Sequence, residues 1–116
     1  MEMTTAVESL SALAHPGRLA AYRLLVRAGP EGMAAGEAAR RLETPANTLS
    51  THLNLLGHAG LVQSRRDGRS IIYSARFDRM GALMAFLAED CCGGAPEVCG
   101  PVAEAAARSR CAPAGA

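Results

Sequence analysis

No apolar run in the 116 residues approaches the ~20 needed to span a bilayer, and the start of the chain, with acidic Glu2, lacks the hydrophobic core of a signal peptide. These absences predict a soluble, cytoplasmic protein with no membrane partner. Lysine and tryptophan are missing altogether, and the aromatics are two Tyr and two Phe. Cysteine does not occur before position 91, so the four copies cannot staple the core as disulfides staple a small secreted domain. The length suits a single core and excludes a large enzyme with separate cofactor and substrate domains. There is no internal repeat.

A formal net charge of +1 hides an asymmetry. All 12 basic residues are Arg, and seven of them (Arg40, Arg41, Arg65, Arg66, Arg69, Arg76, Arg79) lie between positions 40 and 79. Against Glu43, Asp67 and Asp78 that stretch carries +4, which leaves −3 for the rest of the chain. A basic middle in a near-neutral chain is the charge pattern of a nucleic-acid surface.

Local signals order the elements. Thr5-Ala6-Val7-Glu8 has the capping-box pattern of a first helix, with Val7, Leu10 and Ala14 on one stripe. Pro16 opens a second helix with Leu19, Tyr22, Leu25 and Val26 inward and Arg18, Arg23 and Arg27 outward, ended by Gly29-Pro30. A short third helix is expected around Glu37 to Leu42. Thr44 as N-cap and Gly60 as stop predict a fourth helix from Pro45 to Ala59. Asp67-Gly68 between Leu61 to Arg66 and Arg69 to Ser74 predicts a β-hairpin with a type I′ turn. Asp78 then caps a long last helix carrying Met80, Leu83, Met84 and Leu87 at i, i+3, i+4 and i+7. From Gly93 onward Gly, Pro and Ala dominate; Ala103 to Arg108 is expected to be transiently helical and Ala112 to Ala116 disordered. The expected organisation is one folded domain over 1–92 and a tail over 93–116.

This order describes a mainly α fold with one β-hairpin, a helix-turn-helix followed by a wing. On the fourth helix Leu49, Leu53 and Leu56 share the core face. Asn47, Thr51, Asn54 and His58 take the opposite face, flanked by Thr48 and Ser50. Small hydrogen-bonding side chains near a helix N-terminus suit the major groove, where Asn can pair bidentately with adenine and Ser or Thr can reach base edges or phosphates. His52 lies between the two faces, open to a DNA contact or to a partly buried position.

His15-Pro16-Gly17-Arg18-Leu19, Asn47-Thr48-Leu49-Ser50-Thr51-His52-Leu53, Leu56 with Gly60-Leu61-Val62, and Gly68-Arg69 with Tyr73 together resemble the ArsR/SmtB family of winged-helix repressors, over about residues 5 to 90. The resemblance implies a homodimer that binds double-stranded operator DNA and releases it when a metal or metalloid binds. The apolar first and last helices are the expected dimer contacts, setting two recognition helices about one DNA turn apart. Beside a recognition helix, Arg65, Arg66 and Arg69 at the hairpin tip read as phosphate or minor-groove contacts. Sequence discrimination falls to Asn47, Ser50, Thr51 and His52, with Thr48 at their flank.

Asp90-Cys91-Cys92-Gly93-Gly94-Ala95-Pro96-Glu97-Val98-Cys99 carries the chemical signal. Three thiolates select soft ions and can surround one ion from one side, which suits As(III) or Sb(III) as inducer. Zinc usually takes a fourth ligand, for which Cys111, a His or water is available. Within the family resemblance, a Cys-x-Cys-x-x-Cys site near the third helix has no counterpart, since Gly32 to Glu37 contains no Cys. Asp and His ligands along the last helix are likewise unmatched, because Asp78 to Asp90 has no His. The arsenic-responsive pattern of Cys-Cys and a third Cys maps onto Cys91, Cys92 and Cys99; Cys111 lies outside it. The alternatives are a zinc- or cadmium-responsive repressor and a redox repressor forming a Cys92–Cys99 disulfide, since bridging adjacent Cys91 and Cys92 would strain the bond geometry. A thiol enzyme is disfavoured, because His15, His52 and His58 all lie in other segments and no nucleophile motif is present.

Overall fold

The computed structural model describes residues 1–88, 100, 101, 104 and 105. Two compact units are present, Met1–Phe86 and Leu87–Ala116. Within the second, residues 100, 101, 104 and 105 are helical. All four cysteines and most of the expected tail lie outside the described residues.

The elements run α1 (Met3–Leu13), α2 (Pro16–Ala28), β1 (Met33–Ala34), α3 (Ala35–Arg41), α4 (Ala46–His58), β2 (Val62–Asp67), β3 (Ser70–Ala75) and α5 (Phe77–Ala88). The sheet is antiparallel in the order β1-β3-β2. Short β1 is a third strand that two residues of alternating pattern could not announce. It pairs Met33 with Tyr73 and Ala34 with Ile72. Gly32 makes this approach feasible, because at φ +77 a Cβ would overlap the Tyr73 carbonyl oxygen.

The core gathers Tyr22, Leu24 and Leu25 of α2, Ala38 and Ala39 of α3, Leu49, Leu53 and Leu56 of α4, and Leu61, Val62 and Ala75 at the base of the hairpin. Several expectations at the helix ends and faces are corrected. The first helix starts at Met3 with Glu2 as N-cap and no side-chain cap bond, so Thr5 and Glu8 form no capping box. Its buried residues are Ala6 and Ser9, whereas Val7 and Leu10 are exposed. Small side chains allow the close helix approach that larger ones would hold apart. Leu19 is also exposed, and Arg18, expected outward, is half-buried. Thr44 does not cap α4: its hydroxyl donates to the Leu42 carbonyl, and Pro45 occupies the N-cap position. Asp78 sits inside the first turn of α5 and accepts a 2.8 Å bond from Arg76.

The hairpin turn is displaced by one residue from the expected place. Asp67 pairs with Ser70, so Gly68 and Arg69 form the loop. Gly68 is at φ +63 and Arg69 is not at positive φ, the sign pattern of type II′ rather than I′. The expected register would have set Arg66 opposite Arg69, and like charges directly opposed are destabilising. The observed one sets Arg66 opposite Ile71 and Arg65 opposite Ile72, and pairs buried Val62 with buried Ala75.

Both ends of the helix-turn-helix close with the same hydrogen-bond motif. After α3, Glu43 N–H donates to Arg40 and Thr44 N–H to Ala39; after α4, Gly60 N–H donates to Gly57 and Leu61 N–H to Leu56. Each is a Schellman closure with a left-handed residue just past the cap. At the second it is Gly60, φ +78; at the first it is Glu43, φ +51, where a side chain bears the steric cost. Gly60→Ala should therefore lower unfolding free energy by about 1–2 kcal/mol, while Glu43→Gly should leave it unchanged or raise it by up to about 1 kcal/mol. Urea denaturation of both variants, read at equal m-values, checks the difference.

Candidate nucleic-acid interface

Burial of Leu49, Leu53 and Leu56, each no more than 1% exposed, orients α4. The same rotation leaves Asn47, Thr48, Ser50, Thr51, Asn54 and His58 exposed. Asn47 Oδ1 accepts from the Thr48 amide at 2.9 Å, and Thr51 Oγ1 donates to the Asn47 carbonyl at 3.2 Å. The amide nitrogen of Asn47 and the acceptor lone pairs of Thr51 remain available to a partner. With no acidic residue in the first turn of α4, its positive dipole end is uncompensated and favours an approaching anion.

His52 stands apart from this face. It is half-buried, its ring centroid 5.0 Å from that of His15 at a tilt of 48°, and its Nδ1 is buried with no partner among the described residues. The segment His15 to Arg18 forms the seat. His15 caps α2 by accepting from the Gly17 amide at 3.0 Å, and Pro16 fills the first helical position. Gly17 admits His52, since a Cβ there would come within 2.6 Å of His52 Nε2. Arg18 donates through Nε to the Ala12 carbonyl at 2.6 Å, satisfying the end of α1. This motif therefore ties α1, α2 and α4 together, and the placement of His52 favours positioning of the recognition helix over base contact.

On the hairpin the three arginines differ. Arg65 Nη2 donates to the Glu31 carbonyl at 2.8 Å, bracing β2 against the loop after α2. Arg66 and Arg69 are exposed, and their side chains have no ion pair or hydrogen bond among the described residues. Arg40 on α3 is likewise exposed and without an ion pair among the described residues, a basic residue that contributes to the charge of the middle segment but carries no local pattern marking it as part of the interface. Among the described residues no group of three His, Cys, Asp or Glu could hold a metal ion, and no helix is long and apolar enough to cross a membrane. The predicted ligands Cys91, Cys92 and Cys99 lie outside the described residues.

A helix-turn-helix whose second helix exposes a polar face, followed by an arginine-bearing hairpin, is a winged helix-turn-helix DNA-binding domain. Residues 13–65 match the model of a helix-turn-helix domain family. The chain is 36% identical over 78 residues to the HTH-type transcriptional regulator YgaV of Escherichia coli, an alignment covering 67% of this chain and 77% of that protein. It belongs to the helix-turn-helix transcriptional regulators, and its relatives are regulators rather than enzymes. The crystal structure of NolR from Sinorhizobium fredii is similar at 36% identity and a TM-score of 0.60, over 74% of this chain and 83% of that one. The solution structure of the homodimeric winged domain of Mb0332 from Mycobacterium bovis, a possible ArsR-family regulator, matches at 27% identity and a TM-score of 0.61, over 76% of this chain and 82% of that one.

The seat of His52 makes stability depend on pH. Burial first, then the positive charges at His15 and Arg18, push its pKa below the ordinary 6.5. The unfolded chain then takes up this proton before the folded one, so stability present above pH 6.5 declines as pH falls from there toward the lower folded pKa. Thermal melts of wild type and His52→Gln across this window should show a shallower decline in the variant. Equal slopes would mean that the His15–His52 contact does not govern acid sensitivity.

Proposed function

We propose that the chain is a homodimeric, cytoplasmic repressor that binds double-stranded operator DNA and releases it when As(III) or Sb(III) binds the thiolates of Cys91, Cys92 and Cys99. The observation that carries the DNA half is the exposed polar face of α4 beside the unpaired Arg66 and Arg69. Dimerisation is supported by the apolar stripe of Met3, Val7 and Leu10 on α1 and by Met84 on α5, all exposed in the single chain. Covering these by a second copy follows the twofold logic of operator half-sites.

The inducer half rests on donor chemistry. Three soft thiols within nine residues, separated by a Gly-Gly-containing segment, can close on one pyramidal ion with no fourth ligand. Adjacent residues of a regular helix point about 100° apart, so Cys91 and Cys92 can aim at one ion only where the helix is unwound. Gly93 and Gly94 lower the cost of such a turn and let Cys99 fold back.

Fluorescence anisotropy on an operator fragment tests both halves. Replacing Arg66 and Arg69 by Ala should weaken binding to all sequences and flatten the salt dependence by up to about one unit per lost phosphate contact. Asn47→Ala and Thr51→Ala should cost about 1–3 kcal/mol at the specific site and less on random DNA. Equal losses on both duplexes would place these residues on phosphates instead. For the inducer, Cys91→Ser, Cys92→Ser and Cys99→Ser should each bind operator but fail to release it with arsenite, while Cys111→Ser responds as wild type. Release by zinc, cadmium or peroxide but not by arsenite would overturn the inducer assignment and leave the DNA half standing.

A further inference from the structure

Leu49, Leu53 and Leu56 fix the rotation of α4 about its axis, but helix packing alone leaves crossing angles scattered by about 15–20°. The tilt must be held elsewhere, and the C-terminal end of α4 carries the parts for it. There the Leu61 carbonyl accepts from the Arg76 amide at 2.8 Å, which ties the start of α5 to the residue just past the helix. Arg79 of α5 then covers Gly60. Its Cζ and Nη2 lie 3.0 Å, and its Nη1 3.2 Å, from where a Gly60 Cβ would stand. Near-equal distances to the three atoms mean that the flat face of the guanidinium rests on the glycine, a place that any side chain at position 60 would take. The Arg79 side chain is half-buried and has no ion pair or hydrogen bond among the described residues, so this contact is not a by-product of a carboxylate nearby.

We infer that Arg79 is a positioning residue for sequence-specific DNA binding: its cation, stacked on the C-terminal end of α4, sets the tilt at which Asn47 to Thr51 meet the bases. A cation at a helix C-terminus is attracted by the negative end of the dipole. The dipole of α4 is thus answered by the protein at this end and left open to DNA at the other, where the first turn holds no acidic residue. Leverage makes the tilt matter. A helix of 13 residues is about 20 Å long, so a tilt of about 5° at the C-terminal end moves the N-terminal end by about 2 Å. Hydrogen bonds to base edges do not survive such a shift, whereas the long exposed arginines of the wing can follow a phosphate. Arg79 itself is placed away from the wing tip. It lies by the base of the hairpin, where Val62 pairs with Ala75, and strands of six residues put about 20 Å between that base and Gly68. The inference rests on the DNA-binding reading and adds to it a residue of α5.

The probes are a duplex enriched from a random pool by the wild-type protein and a random-sequence duplex of the same length, both read by fluorescence anisotropy. Arg79→Gln should weaken binding to the enriched duplex by about tenfold, the worth of one base contact, and to the random duplex by less than about twofold. The slope of log K against log salt on the random duplex should stay at its wild-type value. Arg79→Lys, which returns a cation to the helix end, should recover most of the ratio between the two affinities. That ratio does not depend on the fraction of protein that is folded, so lost stability cannot imitate the effect. A wild-type ratio for Arg79→Gln, or a loss shared equally by both duplexes, would overturn the inference. A slope lowered by about 0.9 would put Arg79 on a phosphate and overturn it as well. Arg79→Lys as weak as Arg79→Gln would remove the cation from the account and likewise overturn it. Wild-type protein that enriches no sequence from the pool would overturn the operator-binding reading itself.

Discussion

The leucine seam of α4 is the constraint from which the DNA-facing surface follows. Leu49, Leu53 and Leu56 pack into one cluster with Tyr22 and Leu25 of α2 and with Ala38 and Ala39 of α3. Burying each such side chain contributes about 1.5–3 kcal/mol, so no rotation of the helix that exposes them competes. A turn of about 100°, one residue, would bring Ser50 and Asn54 into the core without partners and expose the leucines. The polar face is therefore aimed by the apolar one. His52, wedged against His15 over Gly17, adds a second fixed point beside the seam and couples the aim of the helix to the α1–α2 turn.

What could be read from the sequence divides along the range of the interactions. The α4 pattern was legible because Leu49, Leu53 and Leu56 repeat at helical spacing and Gly60 marks the end; both signals act within a few residues. The same holds for the hairpin, whose existence needs only a turn glycine between two β-prone runs. Its register was not legible, since the choice depends on Val62 meeting Ala75 and on keeping Arg66 away from Arg69. Strand β1 escaped for the same reason: Met33 and Ala34 are extended because Tyr73 and Ile72 are there to pair with them. The outward Val7, Leu10 and Leu19 show the opposite failure, in which apolar spacing identified the helices but not which side each buries. Of the DNA-binding candidates, Asn47, Thr48, Ser50, Thr51, Arg66 and Arg69 stand exposed as expected. Arg65 and His52 turned out to have partners from distant segments, Glu31 and His15, that no local pattern could supply.

Seven of the arginines fall into two groups with different consequences. Arg18, Arg41, Arg65 and Arg76 each donate to a named carbonyl or carboxylate and so serve the fold. Arg40, Arg66 and Arg69 have no such bond among the described residues, and all three are exposed. An unpaired guanidinium on a surface gives up only water when it meets a phosphate, whereas a bonded one must first break its contact. The formal charge of the middle segment therefore overstates the number of strong phosphate contacts, and the salt dependence of DNA binding should track the free set.

The relation between the thiols and the DNA surface is then a matter of linkage. Under the proposed function, an ion that binds both states of the dimer equally would shift nothing, however tightly it is held. Release requires that the ion prefer the DNA-incompetent arrangement, and reciprocity makes bound DNA weaken the ion by the same factor, typically about 1–3 kcal/mol. The described structure supplies an element able to transmit such a preference. Helix α5 precedes the thiols in sequence, buries Leu83 in the domain and leaves Met84 exposed. If Met84 contributes to the seam between two copies, unwinding the helix beyond it alters the seam rather than either recognition helix. The leucine-seated α4 would stay rigid within each copy while the distance between the two copies of α4 changes. DNA spans both half-sites at a fixed spacing, so a small shift in that distance is felt as the loss of one half-site's contacts. A rigid reader and an adjustable seam are both needed, because a recognition helix that itself loosened would lose specificity before it lost affinity.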